Sequence, residues 1–169
     1  MNSFILNAND IAPFFVSKGV SPLKLQKLLY YSQVWFIKRN GDKLFTDPIR
    51  AWVFGPVVTS IWNKFKVVRR NDIIAPFTHF YPCPTLLPET IHQHLQDVWN
   101  SYGHLTGSEL VDLTHSEIPW KMSRIGLLDN EPSATEIILD YNTISGYQLD
   151  HYNNIPYVQS KNTLGFFSS

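Results

Sequence analysis

Cysteine is nearly missing from this sequence. Its 169 residues hold one, Cys83, set between Pro82 and Pro84. A lone thiol closes no internal disulfide and has no partner for a cysteine-based metal framework. Such a chain suits a reducing compartment, so a cytoplasmic location is expected. Charge is scarce as well. Acidic and basic residues number 14 each, give a net charge of zero and make up 17% of the chain. No global field therefore steers it to nucleic acid or to an anionic membrane. Long apolar runs are absent; none approaches the ~20 residues that cross a bilayer. The start, "MNSFILNAND", lacks the basic segment and apolar run of a signal peptide. Glycine-rich phosphate loops and a glycine–serine nucleophile elbow are also missing. No membrane partner, cofactor or catalytic residue is expected.

Hydrophobic residues are plentiful at 44%, and aromatics reach 14%. That content excludes disorder, and the length suits one domain with a sizeable core. The expected fold class is mainly α, a single compact helical domain with a small strand component. The domain is expected over residues 1–155, followed by a tail over 156–169 in which Phe166 and Phe167 could dock.

The helix signals are local and mostly clear. A first short helix is expected with Asp10 as N-cap, Pro13 in its first turn and Gly19 as its stop. Ser21-Pro22 restarts the chain as cap and first helical residue, with Gly41 ending that helix. On it, Leu25, Leu28, Leu29, Ser32 and Phe36 share an apolar face. Lys24, Lys27, Tyr31 and Lys38 fall opposite, and Gln26, Tyr30 and Gln33 lie on a flank. Alternation across Ile49, Ala51 and Val53 predicts a short strand. Gly55-Pro56 is expected to break it and open the next helix, with Pro56 at the first helical position. Prolines 76, 82, 84 and 88 mark an irregular connection. A helix over 88–102, a Thr106–Glu109 capping box and a turn around Trp120 follow. The segment from Thr135 is expected to open as a strand and close as a helix over 140–152.

Few constellations carry chemistry. His92 and His94, two apart on a helix, project ~200° apart and cannot share an ion. No metal site is expected. His115 with Asp112 and Glu117 could form an acid–base group, but polar groups at a helix end usually serve the backbone. The basic cluster of Lys64, Lys66, Arg69 and Arg70 reads as a solvated face. The stripe Lys24, Lys27, Tyr31 and Lys38 combines long cationic stems with a rigid ring and is the expected partner-binding surface. Gln26 and Tyr30 fit either an interface or internal satisfaction.

Three stretches in order, "LKLQKLLYYSQ" (23–33), "AWVFGPVV" (51–58) and "LTHSEIPWK" (113–121), resemble the Panacea domain, or SocA-like phage-associated, family. The resemblance runs over about residues 8–152. It implies a mainly helical antitoxin that neutralises a cognate toxin by direct contact. An adaptor that delivers a partner to a protease is the alternative it allows. An enzyme using His115 with nearby carboxylates is a less favoured alternative that comes from the residues and not from the resemblance, which supplies no catalytic residues. Gln26, Tyr30, Trp52, Gly55, Pro56, His115, Pro119 and Trp120 fall on family stretches and are expected to be structural. Some members append a DNA-binding domain; none is expected here, and DNA binding is not expected either. Oligomeric state is left open.

Overall fold

Helix α2 (Pro22–Asn40) is the axis around which the other elements pack. Its ends are set locally. The Ser21 hydroxyl accepts from the Lys24 N–H, Pro22 takes the first turn, and Gly41 closes the helix at φ 79°. The computed structural model describes residues 5–76, 80–145 and 157–159.

Helix α1 (Ala8–Val16) begins earlier than expected. Asn7 is its N-cap, and Asp10 sits at the third helical position, reaching back to the Asn7 N–H at 2.8 Å. Both residues are good caps, and the box formed by the pair decides between them. Pro13 consequently lies inside the helix and not in its first turn, where it leaves one carbonyl without its helical donor.

Strands β1 (Ile49–Trp52) and β2 (Gly55–Val58) form an antiparallel hairpin across Val53 and Phe54, pairing Ile49 with Val58 and Trp52 with Gly55. This corrects the expectation at Gly55-Pro56. Pro56 is a strand residue, and helix α3 (Thr59–Phe65) starts three residues later. The β-branched pair Val57-Val58 favours the pleated surface. Proline is tolerated there because β2 has no further strand on its outer edge. Side chains of α2 cover that edge instead. The Gln26 amide accepts from the Val58 N–H at 2.7 Å and donates to its carbonyl at 3.2 Å, much as a neighbouring strand would. On the other side of β1, backbone bonds from Ala51 to Thr135 and from Ile137 to Ile49 bring in residues 135–137. The strand expected there appears as a single bridge, Arg50 to Glu136.

The described residues of the Pro-rich connection are irregular, as expected. Helices α4 (Glu89–Tyr102), α5 (Gly107–Ser116), α6 (Ile118–Ser123) and α7 (Tyr141–Ser145) complete the order. Thr106 and Glu109 make the capping box of α5. Helix α7 begins the expected 140–152 helix; residues 146–152, like Phe166 and Phe167, lie outside the described residues. The fold is mainly α with a two-stranded sheet. Helices α1, α3, α4, α5 and α7 and strand β2 all pack against α2.

Candidate functional site

The enclosure of α2 overturns the expected exposed stripe. Tyr31 and Lys27 have no solvent-accessible surface, and Lys24 and Lys38 are half-buried. Lys24 donates to the Gly103 carbonyl at 2.6 Å and lies over the Trp99 ring. The apolar face is one side of a helix that has neighbours on several sides, so Gln26, Lys27, Tyr30, Tyr31 and Gln33 meet protein and not water, while Lys24 and Lys38 stay partly solvated.

These polar groups converge with the other two motif stretches. The Lys27 ammonium donates to the Pro56 carbonyl at 2.9 Å. Tyr30 and Tyr31 donate to the two Glu117 carboxyl oxygens at 3.0 and 2.6 Å. Tyr31 also stacks on Tyr102, with ring centroids 4.0 Å apart. From the third stretch, the Trp120 indole donates to the Trp52 carbonyl at 3.0 Å, and Pro119 is buried beside it in α6. Arg124 donates to the Ala51 carbonyl and bonds those of Leu128 and Glu131. Each of the three stretches therefore holds the other two. Gly55 sits at the junction with φ 95°; a Cβ there would meet Lys27 Cε and Thr114 Oγ1 at 2.8 Å.

Burial sets the electrostatics. Loss of solvent pushes the Glu117 carboxyl up to about 8, against the lowering effect of the two tyrosine hydroxyls. Loss of solvent also brings the Lys27 ammonium down to about 7. Burial raises the Tyr31 phenol well above its usual range, reinforced by the Glu117 charge. His115, at the end of α5, stacks on Trp120 at 4.0 Å between centroids. Burial, and then the Lys27 charge, lowers its pKa. No hydrogen bond joins His115 to Asp112 or Glu117: Asp112 is exposed, and Glu117 faces the tyrosines. Among the described residues, no three His, Cys, Asp or Glu side chains are grouped to hold a metal ion. Nor is any described helix long and apolar enough to cross a membrane.

Above this junction lies an open groove of about 750 Å³, walled by the hairpin, the start of α2, α3 and residues 132–134. Leu23, Val57, Ile61 and Phe65 form apolar lining, and Trp52 and Trp62 meet edge to face at 5.4 Å. Phe54 and Trp62 stay 52% and 42% exposed. Such rings in soluble proteins mark contact sites more often than isolated exposed aliphatics do. Periodicity could not single out Phe54 or Trp62, because their exposure depends on how the hairpin meets α3. Arg124 and Thr114 also escaped notice, since the Ala51 carbonyl that Arg124 reaches and the Gly55 backbone that Thr114 lies against are far away in sequence.

The three stretches that interlock here lie, apart from Leu23 and Lys24, inside a region similar to known proteins. The profile "Antitoxin SocA-like, Panacea domain" matches residues 25–121. This chain belongs to the SocA-like antitoxin, Panacea domain family. Antitoxin SocA of Caulobacter vibrioides (strain NA1000 / CB15N) is 31% identical over 111 residues, covering 60% of this chain and 58% of that relative. The chain thus spans less than two thirds of the relative it matches. No solved structure matches. Within the matched region lie all the motif residues named above, from Gln26 to Trp120.

Proposed function

We propose that this Panacea-domain protein is an antitoxin that neutralises a cognate toxin by direct contact. Family membership supports the antitoxin role. The observation that carries direct contact is the division of labour between the junction and the groove. The motif side chains are consumed in holding α2, the hairpin and α6 together, and the open aromatic groove is what they leave facing outward. A non-enzymatic role fits the same arrangement. The buried carboxyl bonded by two tyrosines and the histidine stacked on Trp120 are organised for packing, with no acid–base pair between them.

The test is co-expression in a bacterial host with the reading frame that adjoins this gene. Growth arrest by the neighbour alone, relieved by this protein and accompanied by a complex on size exclusion, is the expected result. Arrest that this protein does not relieve overturns the antitoxin reading. Relief that disappears in a host lacking its energy-dependent proteases points instead to delivery for degradation.

A further inference from the structure

The groove has one sign of charge. Lys66, Arg69 and Arg70 stand at its rim and Lys27 lies beneath its lining, while no Asp or Glu lines it. Among the described residues, none of the three rim cations is within ion-pair distance of a carboxylate; Arg50 and Glu136 pair elsewhere, at 3.7 Å. Two of them rest on the exposed rings: the Arg70 guanidinium lies 4.3 Å from the Phe54 centroid and the Lys66 ammonium 5.7 Å from that of Trp62. The chain as a whole is neutral, so this local excess is not an overall bias. Exposed cations with no carboxylate beside them among the described residues, next to an apolar trough, complement a ligand that is both apolar and acidic.

We propose that the groove between the hairpin and α3 is the toxin-docking site, and that it takes a short segment of the partner whose apolar side chains are flanked by Asp or Glu. This rests on the antitoxin reading above. The apolar anchors fill the trough over Leu23, Val57 and Ile61, and the carboxylates meet Arg69, Arg70 and Lys66 at its edge. A nucleic-acid strand is the weaker match. Three cations give only weak, salt-sensitive phosphate binding, and although Phe54 and Trp62 offer stacking faces, the trough between them is floored by the aliphatic side chains of Leu23, Val57 and Ile61.

The probes are two short synthetic peptides with the same Leu and Phe anchors, one flanked by Glu and one by Lys, together with a single-stranded oligo-dT. Binding is followed through the indole N–H signals of Trp52 and Trp62 in the folded, full-length protein. The Glu peptide is expected to shift both signals. Arg69→Glu with Arg70→Glu should weaken it at least about tenfold and let the Lys peptide bind in its place. A thermal melt confirms that the variant is folded, and Phe54→Ala serves as a second variant should it not be. No shift with the Glu peptide, equal binding of both peptides, or oligo-dT as the only ligand of these indoles overturns the inference. The two readings separate in the growth assay. If wild type relieves arrest and the folded double variant relieves it equally, the docking site is wrong and the antitoxin reading stands. If wild type never relieves arrest, the antitoxin reading fails, and the peptides alone decide what the groove binds.

Discussion

Glu117 is held where solvent cannot support its charge, and that has a measurable consequence. Its folded pKa, about 8, stands above the ordinary carboxyl value of 4.5, so between these pH values the folded state binds more protons than the unfolded one. Stability from this group is full below pH 4.5 and is lost as pH rises through about 8. Lys27 acts in the opposite sense. Its folded pKa of about 7 lies below the usual 10.5, so its contribution improves as pH rises across that range. The two overlap, and wild type alone will not separate them. Glu117→Gln should: the stability of wild type relative to this variant is expected to fall by more than ~1 kcal/mol between pH 5 and 8. Urea denaturation of both proteins across that range is the measurement, and a constant difference would show that Glu117 does not titrate there. Gly55 makes a second prediction at this scale. Its φ of 95° disfavours any side chain, and a Cβ would enter Lys27 and Thr114. Gly55→Ala should destabilise the fold by ~2 kcal/mol or more, read as a lower denaturation midpoint.

Among the elements, β2 depends on a helix for its outer edge. Gln26 supplies both the donor and the acceptor for Val58, and Gln33 does the same for residues 44–45, accepting from Leu44 and donating to Phe45 at 2.8 Å each. Two amides on α2 thus fasten both ends of the passage that carries β1 and β2. Gln26→Leu keeps the volume but strands a buried N–H and a buried carbonyl, so a loss of ~2–4 kcal/mol is expected. Faster amide exchange at Val58, with little change in α4, is the accompanying local signature. A variant as stable as wild type would mean that water or a shifted strand takes over the edge. Such clasps explain what was legible beforehand. The caps of α2 and α5 were, because Ser21, Pro22, Gly41, Thr106 and Glu109 act on backbone within one turn. The hairpin was half legible: β1 followed from alternation, whereas Gly-Pro reads equally as a strand residue and as a helix start. The partners of Gln26, Lys27, Tyr30 and Tyr31 were not legible. Each lies more than twenty residues away, and a local apolar period says nothing about what covers the opposite face. The candidate site inherited that error, since Lys27 and Tyr31, expected outside, are inside, and Lys24 and Lys38 are half-buried. The exposed rings and rim cations became visible only once α3 and the hairpin were placed together.

At the scale of the molecule, contacts run without a break from one end of the core to the other. Glu117 binds Tyr31, Tyr31 stacks on Tyr102, and the Tyr102 hydroxyl accepts from the Trp35 indole at 2.7 Å. Trp35 stacks on Tyr157, whose hydroxyl lies 3.1 Å from His94 Nδ1. The chain of side chains crosses α2 and α4 and reaches from the start of α6 to residue 157. Because α2 contributes to every link but the last, no element along it has a separate core that could survive its loss. Unfolding is therefore expected to be one cooperative transition. Far-ultraviolet circular dichroism reports the helices, and near-ultraviolet dichroism reports the packed tyrosines and tryptophans; the two should trace coincident curves. Tyr31→Phe removes one hydroxyl at the middle of the chain, leaving Glu117 short of a donor. It should shift both curves to lower denaturant together, by ~1–3 kcal/mol. Combined with Tyr157→Phe, it should depart from additivity by ~0.5 kcal/mol or more, since both act on one network through Tyr102 and Trp35. Additive losses with separated transitions would show that the α6 end and the Tyr157 end fold as independent units, and that the continuous contacts between them transmit nothing.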